Sequence, residues 1–99
     1  MVRFSTVLIG AFIASACSAA LAQDVRYLAA NCANCHGTDG RAEGTAMPRL
    51  AGQPATYFTE QMRAFRDGRR GATIMHQIAK GYTDDEIARL AAYFEKQPR

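Results

Sequence analysis

The chain has 99 residues, twelve of them Lys or Arg and nine Asp or Glu, for a formal net charge of +3. That length accommodates one small domain, and so even a charge balance lacks the dense basic stripe that a nucleic-acid surface needs. Three cysteines in a chain this short make their spacing the first thing to explain.

The first predicted element is a leader. Arg3, an uncharged stretch from Phe4 to Ala22, and the small residues Ala20 and Ala22 around Leu21 predict a secretory signal over residues 1–22, cut before Gln23. A retained membrane anchor fits less well, because Gly10 and the many Ala and Ser leave the stretch weakly apolar. Cys17, preceded by IASA, is a further option as a lipid-attachment site, but Ala14 stands where a bulky aliphatic residue is wanted. Cleavage leaves residues 23–99 as a single domain, exported to the periplasm and without stable membrane insertion. Loss of Arg3 then sets eleven Lys and Arg against nine Asp and Glu. A core this small contributes only about 3–5 kcal/mol on its own, so a covalent staple, metal or cofactor is expected.

A short helix follows. In DVRYLAANC, the residues Val25, Leu28, Ala29 and Cys32 recur at i, i+3, i+4 and i+7. The helix runs into NCANCHG, residues 31–37, where two cysteines stand three apart with a histidine directly after the second. In an oxidising compartment a bare pair would become a disulfide or a thiol-exchange site. The thioredoxin-like arrangement, however, needs a preceding strand in a parallel-sheet scaffold, and no β-branched or alternating run precedes the motif. Structural zinc needs four ligands, and beyond Cys32, Cys35 and His36 only His76 remains as a usual one.

The spacing C-x-x-C-H is that of c-type haem attachment. Both thiols add to the two vinyl groups on one edge of a porphyrin and hold the ring against the chain as thioethers. The next residue then lies beneath the iron, so His36 supplies the proximal nitrogen and Gly37 lets the backbone turn away.

GTDGRAEGTAMPRLAGQP, rich in glycine and containing Pro48 and Pro54, predicts a loop wrapped around one side of the ring. A second helix starts near Pro54 and carries Phe58, Met62 and Phe65 until DGRRG interrupts it. ATIMHQIAKGY has apolar residues for one or two helical turns before Gly81. The last helix has a capping box, Thr83 with Glu86, and its apolar face repeats as Ile87, Leu90, Ala91 and Phe94. With no strand pattern anywhere, the fold class is all-α: a small domain of three to five helices around one covalently bound haem.

An iron used only for electron transfer is best kept six-coordinate, which calls for a second axial ligand. Met47, Met62, Met75 and His76 are the candidates. Met62 shares a stripe with Phe58 and Phe65 and reads as core. Met47 adjoins Pro48 in the loop nearest His36. Met75 follows a glycine-containing loop, lies 39 residues after His36 and has Ile74 and Ile78 nearby. It is best placed for the far face, with His76, read as solvent-facing, as its rival.

These residues together resemble class I cytochrome c across the whole of residues 23–99. The resemblance implies that Pro48, twelve residues after His36, offers its carbonyl to the other ring nitrogen. It implies that Leu50 packs on the ring, that Leu28 meets Leu90 and Tyr93, and that Met75 is the distal ligand. PRLAGQPATYFTEQMRAFRDGRR is similar to the bacterial two-haem cytochromes c and their single-domain relatives. IMHQIAKGYTDDEIARLAAYF is similar to the haem subunit of flavocytochrome c sulfide dehydrogenase. One C-x-x-C-H departs from the two-haem pattern, so any electron relay needs a partner.

The expected function is one-electron transfer with redox proteins as partners, including a flavoprotein sulfide dehydrogenase subunit. No dinucleotide fingerprint is present and both motif thiols are occupied, so the chain is not expected to catalyse sulfide chemistry alone. The alternatives are a freely diffusing carrier serving an oxidase or reductase, and a haem peroxidase or gas sensor. Arg63, Arg66, Arg69 and Arg70 form a cluster whose expected roles are a solvated helix end, haem propionate pairing or partner steering. His76, Lys80 and Tyr82 are candidates for a docking rim.

Overall fold

A computed structural model describes residues 25–99, so the expected leader, its cleavage point and Cys17 lie outside the described residues. Within them the chain is helical and contains no strand. Helix α1 covers residues 25–36, α2 Ala55–Asp67, α3 Met75–Lys80 and α4 Asp84–Glu95, with a single 3-10 turn at Thr38–Gly40. No helix among the described residues is long and apolar enough to cross a membrane.

The core is built on α4. Its four stripe residues, Ile87, Leu90, Ala91 and Phe94, are each at most 1% exposed, as the periodicity predicts. Burying side chains the size of Ile87, Leu90 and Phe94 contributes about 1.5–3 kcal/mol apiece. The helix begins where its capping box says it should. Thr83 Oγ1 accepts the Glu86 N–H at 3.1 Å, and Glu86 Oε1 accepts the Thr83 N–H at 3.0 Å. Two otherwise orphaned donors of the first turn are satisfied reciprocally.

Against α4 lie α2, through Phe58 and Met62, and α1, through Ala29. The Phe58 and Phe94 rings sit with centroids 5.5 Å apart. Helix α2 stops at Gly68, and its partner α3 is only six residues long. The chain over 72–74 ahead of α3 is not helical, so Met75 is the first residue of that helix.

The loop between the 3-10 turn and α2 is fastened at both ends. Leu50 and Ala51 both donate to the Gly40 carbonyl, at 2.9 and 3.1 Å, and Gly52 donates to the Phe94 carbonyl at 2.8 Å. Gly40 has φ 75°, and a Cβ there would stand 2.8 Å from Leu50 Cβ and 3.0 Å from Phe94 Cδ1. Only a residue without a side chain lets loop and helix approach this closely. Tyr93 adds a hydroxyl donated to Asp39 Oδ1, and the Ala55 N–H donates to Glu95 Oε2 at 2.6 Å. The loop is thus held as a wall beside α4.

Candidate functional site

Between this wall, α2 and α3 opens a cleft of about 1010 Å³ of atom-free space, part of it continuous with solvent. Helix α1 brings Cys32, Cys35 and His36 to it, the loop brings Met47, Pro48 and Leu50, and the chain from Ile74 brings Met75, Ile78 and Tyr82. All six residues that the sequence nominates for the cofactor, Cys32, Cys35, His36, Pro48, Leu50 and Met75, therefore line one cavity.

His36 closes α1 and is 8% exposed. Its Nδ1 lies 2.7 Å from the Pro48 carbonyl oxygen. A carbonyl only accepts, so Nδ1 carries the proton and donates it, which leaves the lone pair on Nε2. Gly37 explains how the chain leaves the motif. With φ 81° it turns sharply, and a Cβ would stand 2.7 Å from the Arg41 carbonyl oxygen and 2.8 Å from the Ala42 nitrogen.

Cys35 is exposed and Cys32 half-buried. Burial pushes the Cys32 thiol above its ordinary value, with a hydrogen bond from Tyr82 offsetting part of that rise. The wall therefore favours an uncharged sulfur, and a thioether is one. A flat, largely apolar group bonded at one edge to both thiols fits this lining, with an imidazole nitrogen on one wall and thioether sulfurs elsewhere. Among the described residues, no group of three or more His, Cys, Asp or Glu converges to hold a metal ion, which leaves the zinc reading without a ligand set.

Met75 lines the cleft and packs on the core, whereas His76, one residue on, does not line it. His76 is half-buried rather than solvent-facing, a correction to its expected exposure. Met62 is 5% exposed in the core while also facing the cleft, and Met47 sits near Cys35 at the edge. Tyr82, expected at a docking rim, is half-buried and lines the cleft.

The arginines divide. Arg66 binds Asp84 at 2.7 Å, and Arg69 binds Glu60 at 2.9 Å and Asp67 at 3.3 Å. Those two are engaged within the fold. Arg70 alone of the four lines the cleft. Sequence reasoning also misses Gln53, just ahead of α2, and Tyr57 and Gln61, which with Phe65 recur every four residues on the cleft side of that helix. That regular spacing is the signal that could have found them.

The family model for cytochrome c matches residues 23–97. Cytochrome c-554(548) of Halomonas halodenitrificans is 44% identical over 69 residues, covering 67% of this chain and 83% of that protein. The cytochrome subunit of sulfide dehydrogenase from Chlorobaculum tepidum is 40% identical over 67 residues, covering 68% of this chain and 60% of that one. The structure of cytochrome c4 from Acidithiobacillus ferrooxidans superposes with a TM-score of 0.66 at 35% identity, over 74% of this chain and 47% of that one. The chain thus matches most of the first relative but only part of the other two. With a helical fold, one attachment motif and one apolar cleft, it belongs to the cytochrome c family as a class I monohaem member, an electron-transfer protein holding haem c covalently through Cys32 and Cys35.

Proposed function

We propose that this protein is an exported one-electron carrier whose iron is held by His36 and Met75, with residues 1–22 as a cleaved leader and residues 23–99 as the working domain in the periplasm. The observation that carries the ligand assignment is that both side chains line one cleft while His36 Nδ1 is committed to the Pro48 carbonyl at 2.7 Å. That hydrogen bond fixes the ring and raises the basicity of Nε2. Bound haem supplies the one-electron couple. Met75 offers a soft thioether, which favours the ferrous state and raises the potential. Leu50, Phe58 and Phe65 keep water from the ring, so little has to reorganise when an electron leaves.

The partner we propose is a flavoprotein of sulfide oxidation, with this chain receiving the electrons. Support comes from the likeness to a sulfide dehydrogenase cytochrome subunit. The test is co-purification of the haem-loaded protein from its own cell extract under mild salt. A retained flavoprotein that reduces the haem when given sulfide is the expected result. A freely migrating monomer, reduced by no sulfide-dependent flavoprotein, replaces this reading with a diffusible carrier.

A further inference from the structure

The His36 ring is held by a hydrogen bond to the Pro48 carbonyl, and one short turn governs both ends of that bond. The turn, Thr38–Gly40, begins two residues after His36, and the Gly40 N–H donates back to the Gly37 carbonyl at 3.0 Å. The Gly40 carbonyl accepts the N–H groups of Leu50 and Ala51, two and three residues past Pro48, at 2.9 and 3.1 Å. In the middle stands Asp39, with φ 53° and ψ 27°, the one non-glycine residue of positive φ among the described residues. Aspartate tolerates that left-handed conformation better than most residues, but such a conformation persists only where its surroundings fix it. Two side chains do so. Arg41 lies 3.6 Å from Asp39 Oδ2, and Tyr93 donates its hydroxyl to Asp39 Oδ1. Arg41 directly follows the turn and moves with it. Tyr93 belongs to α4, beside Phe94, which is 1% exposed, so it alone of the two ties Asp39 to the core.

We propose that Tyr93 is a positioning residue for the proximal ligand: by anchoring Asp39 to α4 it keeps the Pro48 carbonyl firmly on His36 Nδ1 and so holds the reduction potential down. The inference rests on His36 as the iron ligand, as read above, and adds the side chain that sets how tightly the protein grips its ring. Tyr93 acts through the turn, since neither it nor Asp39 lines the cleft. The effect is graded rather than all or none. Gly40 packs closely on Phe94, and Gly52 donates to the Phe94 carbonyl at 2.8 Å, so loss of the hydroxyl loosens the turn and the loop without freeing them.

The sign follows from the imidazole. A firm bond from Nδ1–H makes Nε2 more basic, which favours ferric iron, so a looser bond favours ferrous. Tyr93→Phe removes a neutral hydroxyl and leaves the Asp39 charge in place, which separates position from electrostatics. The experiment uses haem-loaded wild type, Tyr93→Phe, Asp39→Asn and Tyr27→Phe at neutral pH. A redox titration gives the potential, and NMR of the ferrous form gives the rate at which the His36 Nδ1 proton exchanges with solvent. Tyr93→Phe should shift the equilibrium about threefold toward ferrous, ~28 mV for a one-electron couple, and should speed the exchange on the order of tenfold. Asp39→Asn keeps an acceptor for the Tyr93 hydroxyl and tolerates positive φ, so its exchange should stay within about twofold of wild type. Tyr27→Phe, at a side chain that is 76% exposed, should move neither reading. A Tyr93→Phe variant that matches wild type in both readings, or shifts toward ferric, overturns the inference alone, whatever stability it loses. Either change without the other overturns the route through Pro48. An Asp39→Asn variant that exchanges as fast as Tyr93→Phe overturns the hydroxyl bond as the anchor. A wild type with no protected His36 ring proton, or with haem that acid-acetone extracts, overturns the inference together with the reading beneath it.

Discussion

Phe94→Ala tests how the core and the haem cleft depend on each other. Phe94 is 1% exposed, its ring lies 5.5 Å from Phe58 and 5.3 Å edge-on to Tyr93, and it touches the approach of Gly40 to the loop wall. Truncating a buried Phe costs about 3–5 kcal/mol, the transfer term plus the cavity left behind. A domain of this size has only about 4–12 kcal/mol in total, at 0.05–0.15 kcal/mol per residue. The variant should therefore lose a large fraction of its stability while the covalent haem stays attached. Guanidinium unfolding of the haem-loaded protein, followed by far-UV circular dichroism, reads this as a lower midpoint at unchanged slope. Phe94→Leu, which keeps most of the volume, should cost less than half as much. A loss under 1 kcal/mol for Phe94→Ala would refute the claim that this ring holds α4 to α2 and to the loop wall.

Thr83→Ala removes one half of the capping box and should cost about 1 kcal/mol in the same titration, with first-turn amides of α4 exchanging faster. Tyr93→Phe deletes the bond to Asp39 and should cost about 0.5–1.5 kcal/mol near neutral pH. Burial, and then the Asp39 bond, raise the Tyr93 phenol above its ordinary value of 10.0, so its contribution is complete below pH 10 and fades as pH rises through the folded value. Unfolding measured on both sides of pH 10 should show that alkaline loss in wild type and less of it in Tyr93→Phe. Gly37→Ala should abolish accumulation of haem-loaded protein, seen as loss of haem stain on a denaturing gel, because φ 81° and the Arg41 carbonyl at 2.7 Å exclude a Cβ.

Local patterns made much of this molecule legible. The Thr83 and Glu86 pair and the four-residue face behind it locate α4 without any tertiary information, since caps and helical spacing are properties of neighbouring residues. The attachment motif is equally local, whereas the Pro48 carbonyl is expected only from the resemblance to class I cytochrome c. What escapes is long range or ambiguous in polarity. Tyr93 and Asp39 are 54 residues apart, and nothing near either announces the other. Tyr57 and Gln61 look like a wet helix face and Gln53 like the end of a loop, because polar side chains can meet a cofactor edge as readily as they meet water. Arg69 and Arg70 are indistinguishable in sequence. Only the turn after Gly68 sends one to Glu60 and the other to the cleft.

The most direct test of the His36 and Met75 carrier is the far-red sulfur-to-iron absorption of the ferric protein, recorded for wild type, Met75→Ala and His76→Ala. The band should be present in wild type, absent from Met75→Ala and intact in His76→Ala, and only Met75→Ala should gain carbon monoxide binding in the ferrous form. A wild type without the band, whose spectrum turns high-spin in His76→Ala alone, would mean bis-histidine ligation and contradict the account. A wild type that binds carbon monoxide readily at neutral pH would contradict it too, because the distal position would then already be open, as a peroxidase or gas sensor requires.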